Sequence, residues 1–150
     1  MAELSPHSGF IKDGEHIRPL RVYYEDTDAG GIVYHANYLK FMERARSDML
    51  RLMGLHQGEM LKFLGPDDIK FVVVRTEVDY IMPARLDDDI TVRTRVAQLG
   101  RASVMMAQVI YRSDDILARG KIKVAILNEQ NKPTRLSKNI VQKLNILMKE

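Results

Sequence analysis

The chain predicts an α+β fold, a five-stranded antiparallel sheet wrapped around one long central helix with a second helix at the C-terminus. Three observations carry that expectation. One apolar stripe at helical spacing runs from Asn37 to Met53, four later stretches alternate apolar and polar residues, and the turns between those stretches are short. Strands joined by short turns are antiparallel neighbours, and a helix set apart from them marks an α+β chain.

In order along the chain, residues 1–18 carry Glu3, Asp13 and Glu15 and no unbroken apolar run. They read as a mobile extension, and as neither a signal peptide nor a membrane span. Residues 19–150 read as one domain. Leu20 to Tyr24 is a short apolar strand that ends in three carboxylates, Glu25, Asp26 and Asp28, and two adjacent glycines, Gly30 and Gly31, which permit a tight turn. Tyr38, Phe41, Met42, Ala45, Met49, Leu52 and Met53 then fall on one helical face, and Gly54 is placed to end that helix. A short helical piece is expected over residues 59–64, stopped by Gly65 and Pro66. The period next changes to two. Val72, Val74, Thr76, Val78 and Tyr80 mark a strand with one buried face, ended by Pro83. Ile90 to Val96, Ser103 to Tyr111 and Leu117 to Leu127 follow, and Ser137 caps a helix carrying Ile140, Val141, Leu144 and Leu147.

Composition narrows the chemistry. The 150 residues are 45% hydrophobic and 29% charged, an ordinary globular balance, with no cysteine. Disulfides, thiolate nucleophiles and Cys-ligated zinc are excluded, and a cytoplasmic location is expected. Residues 131–150 hold five Lys/Arg and one acidic residue, against a net charge of +3 for the whole chain. That basic tail could meet an anionic surface or an acidic carrier protein. No aromatic residue interleaves its lysines, so it offers no stacking platform for single-stranded nucleic acid. His7, His16, His35 and His56 lack paired ligand spacing, so no metal is expected. The Asp26-Thr27-Asp28 triplet also suits a Mg²⁺-dependent aspartyl phosphatase, but that site needs βα units where this chain has hairpins.

Asp28 and His35 lie seven residues apart, before the long helix. A carboxylate near a helix N-terminus can act on a carbonyl polarised by the helix's free N–H groups, which suits attack on an ester or thioester. Asp28 would serve as general base or as nucleophile. The alternative is that Asp26 and Asp28 form Asx-turns or caps and nothing more. The His35 imidazole is a candidate partner for Asp28 or for water. Tyr24 and Tyr34 flank the carboxylate and either line a pocket or pack as ordinary aromatics. Asn37 is a candidate for substrate contact or for capping the helix. Glu43 is expected to pair with Arg46, three residues on.

The string Val22 to Tyr38, together with Glu43-Arg44-Ala45-Arg46, resembles the hotdog-fold acyl-CoA thioesterases. It is most similar to the branch associated with the bacterial Tol–Pal envelope system, a relative of 4-hydroxybenzoyl-CoA thioesterase. Weaker similarity continues through Val78-Asp79-Tyr80 and Pro83 to Asp88. The resemblance implies a hotdog fold, Asp28 as catalytic carboxylate, the His35 backbone N–H as oxyanion donor, and Tyr24 beside them. It implies substrate contacts at Tyr34, Asn37 and Arg101, the last at the nucleotide of an acyl-CoA substrate. It implies no cofactor beyond the coenzyme A of the substrate, and a homodimer or homotetramer with the site between protomers. Acyl carrier protein is a further candidate partner. The rival functions are a hotdog hydratase or dehydratase using His35 with Glu43, and a non-catalytic docking protein.

Overall fold

A computed structural model describes residues 4, 6–54 and 69–148. The helical piece expected over residues 59–64 lies outside them. The elements run β1 (Phe10–Lys12), β2 (Glu15–Arg21), a 3-10 turn (Tyr24–Asp26), α1 (Asn37–Leu52), β3 (Lys70–Tyr80), β4 (Asp89–Leu99), β5 (Ser103–Arg112), β6 (Asp115–Leu127), α2 (Lys138–Asn145) and a closing 3-10 turn (Ile146–Met148). One six-stranded antiparallel sheet has the order β1-β2-β4-β5-β6-β3.

α1 forms because its stripe is continuous. Tyr38, Phe41, Met42, Ala45 and Met49 are all buried, and each large apolar side chain contributes about 1.5–3 kcal/mol on leaving water. Gly54, at φ +79°, ends the helix with its N–H on the Arg51 carbonyl at 3.0 Å. The first half of α1 packs on Ile90, Val92, Ile110 and Ile122, and Met49 and Leu50 pack on Val96, Met106 and Ile126. Ile140 and Leu144 of α2 close the second half, and Ser137 caps α2 through the Ile140 N–H at 3.3 Å.

Three expectations are corrected. The sheet has six strands, because residues 10–18, expected as a mobile extension, form β1 and the first part of β2. The first long strand ends at Arg21, and Tyr24 lies in the 3-10 turn. Pro19 sits inside β2 beyond the reach of β1, which pairs only as far as Ile17, so its missing N–H removes no ladder bond on that side. Last, β3 has no buried face over Val72–Val74. Those three valines are exposed, and the register shifts between Val73 and Arg75.

Candidate active site

The loop from β2 to α1 is held at both ends. Val22 is fully buried and exchanges backbone bonds with the 85–88 turn, its N–H on Asp88 O at 2.9 Å and its carbonyl accepting from Asp87 N–H at 3.0 Å. In Asp88, burial opposes ionisation. The Arg85 N–H and the Arg112 guanidinium, at 2.8 and 2.7 Å, outweigh it and hold the carboxyl below its ordinary range. Farther on, Val33 N–H donates to Ala84 O at 2.8 Å, and Ala84 N–H donates to the buried Tyr38 hydroxyl at 2.9 Å. Burial pushes that hydroxyl's pKa up.

The two aspartates of the loop have separate roles. Asp26 is 5% exposed. Its carboxylate accepts from Tyr23 N–H at 2.8 Å and from the Asn37 side-chain amide at 2.9 Å, tying the loop's entry to the helix start. Asp28 is exposed. It opens a tight hairpin in which its N–H meets Ile32 O at 2.9 Å and its carbonyl accepts from Gly31 N–H at 3.0 Å. Gly31 turns the chain at φ +81°, a conformation that costs glycine little. Oδ1 of Asp28 accepts from Gly30 N–H at 2.8 Å, so the Asx-turn forms, and no other bond to this carboxylate exists among the described residues. Oδ2 has no partner among the described residues.

His35 precedes α1 by two residues and its ring is exposed, 4.6 Å from Tyr34 and 6.3 Å from Tyr80 between centroids. Among the described residues its backbone N–H has no acceptor, and it makes no hydrogen bond to Asp28. Beside it opens a mainly apolar cavity of about 270 Å³, lined by Ile32, Val33, Tyr38, Tyr80 and Met82 among others. Two further cavities, about 330 and 490 Å³, flank Arg18 and Arg21. Both guanidinium groups are engaged there, with Asp48 at 2.7 Å and Asp89 at 2.8 Å.

The structure brings Asp28, His35 and Tyr34 into one loop and separates other expected members. The Tyr24 side chain is 82% exposed and makes no hydrogen bond among the described residues, so one chain alone does not seat it on Asp28. Asn37 is buried with its amide on Asp26, and the N-cap is Ala36, so its side chain braces the loop in place of capping the helix. Arg101 lies past the far end of β4, whose first residue, Asp89, pairs with Arg21. Ten residue steps separate Asp89 from Leu99, roughly 33 Å of strand, so Arg101 is remote from its own chain's Asp28. Glu43 accepts from Ser47 at 3.0 Å, and Arg46 donates to Gln108 at 2.9 Å, in place of the expected pair. Tyr80 is the residue that the sequence reading passes over. Its hydroxyl donates to the His35 carbonyl at 3.1 Å, whereas alternation marks it only as the last apolar position of a strand.

Among the described residues no helix is long and apolar enough to cross a membrane, and no group of three His, Cys, Asp or Glu is placed to hold a metal. The sequence pattern of the Thioesterase superfamily matches residues 30–118. The acyl-CoA thioesterase YbgC of Haemophilus influenzae is 40% identical over 123 residues, 81% of this chain and 88% of that one. The long-chain acyl-CoA thioesterase FadM of Escherichia coli is 36% identical over 78 residues, 52% of this chain and 55% of its own length. A crystal structure of a probable thioesterase from Bartonella henselae superposes with a TM-score of 0.78 at 37% identity, covering 82% of this chain and 99% of that one. With its α+β hotdog architecture and this extent of match, the chain belongs to the thioesterase superfamily.

Proposed function

We propose that this protein hydrolyses acyl-CoA thioesters to the free acid and CoA at Asp28, in a site completed by a second copy of the chain. One observation carries the reading. An exposed carboxylate shares a short, doubly anchored loop with a backbone N–H, and among the described residues one carboxylate oxygen and that N–H have no partner. The thioester carbonyl accepts from the His35 N–H, where the positive end of α1 stabilises the oxyanion as it forms. Asp28 either removes a proton from the water that attacks the carbonyl carbon, or attacks it directly to give a mixed anhydride that water then cleaves. CoA leaves as the thiolate by either route, and no cofactor takes part. The cavity beside His35 accepts the acyl group. A cysteine-free chain acting on acyl-CoA fits a cytoplasmic enzyme.

Dimer formation through β3 supports the same reading. Its outer edge is unpaired among the described residues, and Val72, Val73, Val74 and Tyr80 are exposed along it. Antiparallel pairing of two such edges reverses the partner, which carries its β4–β5 turn to this chain's Tyr80 end. Arg101 of the partner subunit then stands about three strand spacings, roughly 14 Å, from this β3, within the span of an extended CoA. The hydratase reading is weaker, because Glu43 lies six helical steps past Asn37, about 9 Å of helix rise beyond the helix start that follows His35.

The test is Asp28→Asn in a thiol-release assay. Asparagine keeps an oxygen to accept from the Gly30 N–H, so the turn survives while base and nucleophile are lost. Activity should fall by about 10²-fold or more. Near wild-type kcat would refute the assignment. Hydration of an enoyl-CoA would favour the hydratase, and binding of acyl carrier protein or Tol–Pal components without thiol release would favour docking.

A further inference from the structure

The geometry points to Tyr80 as a positioning residue for the oxyanion donor, one that ties the end of the edge strand β3 to the turn before α1. This rests on the thioesterase reading above. The His35 N–H belongs to the peptide plane between Tyr34 and His35, and the carbonyl of that plane accepts from Asn37 N–H at 2.8 Å. The next plane, between His35 and Ala36, is outside the helix ladder. Among the described residues no backbone N–H takes its carbonyl, and the Tyr80 hydroxyl does so at 3.1 Å.

A residue has two soft torsions, and each is set by the plane on one side of it. With one plane held by Asn37 and the other by Tyr80, both torsions of His35 are fixed, and its N–H is the polar backbone group left without a partner. The Tyr80 ring is half-exposed and has two aromatic neighbours. It stands edge-on to Tyr38 at 5.4 Å and to His35 at 6.3 Å, and the Tyr38 hydroxyl accepts from Ala84 N–H at 2.9 Å. The hydroxyl reaches the carbonyl from a ring packed edge-on against Tyr38, and its effect on the reaction runs through His35. A donor held in place before the reaction stabilises the oxyanion more than one that must be ordered during it.

Tyr80→Phe keeps the ring contacts and deletes only the hydroxyl. In the full chain, with an acyl-CoA substrate, kcat should fall about 10-fold, less than loss of an oxyanion donor outright, while KM stays within about 2-fold of wild type. The unfolding midpoint and the oligomeric state should not change. In ¹⁵N-labelled protein without substrate, the His35 amide resonance should shift or broaden, and the Tyr34 amide, held by Asp26, should not. Unchanged kcat in an active wild-type background overturns the inference, as does a lowered unfolding midpoint with kcat intact. An unperturbed His35 amide overturns it too. If wild-type protein releases no thiol, the thioesterase reading fails, while the amide measurement still decides whether Tyr80 orders the turn.

Discussion

The two outer edges of the sheet are finished differently. At one, β1 is three residues long, leads into a sharp turn at Asp13 and Gly14, and covers β2 only through Ile17. At the other, β3 runs eleven residues with three successive exposed valines and leads into the exposed Ile81 and Met82. Short, charge-flanked edges resist pairing, and long apolar ones invite it. The contrast favours β3 as the edge for the proposed partner, the edge that carries Tyr80 and borders the cavity beside His35. On the proposed function, association and catalysis share one strand.

Charging β3 tests the contrast most severely. Val72→Lys with Val74→Lys sets like charges against each other across the paired edges. Light scattering should report a monomer, and thiol release should fall by at least about 10-fold as the shared pocket opens. The matched change at the other edge, Phe10→Lys, should alter neither. A charged β3 variant that stayed associated and active would end the comparison.

A mixed dimer sharpens it. One chain carries Asp28→Asn and the other Arg101→Ala. If Arg101 serves the opposite site, the only site with an intact aspartate has an intact arginine from its neighbour, and KM is that of wild type. If Arg101 serves its own site, KM rises a few-fold, the size expected for an exposed ionic contact. Wild-type KM in an Arg101→Ala homodimer would remove the residue from CoA binding altogether.

The smallest effect belongs to the closed edge. His16 on β2 is fully buried, with Nε2 2.7 Å from the Ser8 carbonyl oxygen and no partner for Nδ1 among the described residues. Burial lowers its pKa, and this outweighs the upward pull of Ser8 and Asp48, with Arg18 adding to the fall. The unfolded chain then binds the proton more readily, so this contribution is complete above about pH 6.5 and is lost as pH falls towards the lowered folded value. Thermal unfolding midpoints should drop between pH 7.5 and about 5.5, and His16→Gln should flatten that slope. An unchanged slope would detach His16 from acid sensitivity.

Where burial and partner lie within the chain, the sequence was a sufficient guide. The α1 stripe from Tyr38 to Met49, the later hairpins and the Ser137 cap are local patterns satisfied by local packing. β3 departs from expectation because Val72 and Val74 alternate as if to cover this chain's own core, yet both are exposed on the outermost strand of the sheet. β1 was missed because three residues carry too little periodicity to register. In the candidate site, the placement of Asp28 and His35 in one loop was legible from adjacency along the chain. The Tyr80 hydroxyl on His35 spans 45 positions, and the distance of Arg101 from Asp28 depends on strand direction, so neither leaves a mark in spacing.

Met82 gives the cavity beside His35 a vulnerability of another kind. The chain has no cysteine to intercept peroxide, and Met42, Met49 and Met106 are sealed in the core. Met82 lines the apolar wall of the cavity and is 40% exposed. Its oxidation would set a polar, chiral sulfoxide where the acyl group is proposed to rest, a lesion that methionine sulfoxide reductases can reverse. Oxidant stress would then dim acyl turnover without unfolding the protein, and repair of one sulfur atom would restore it.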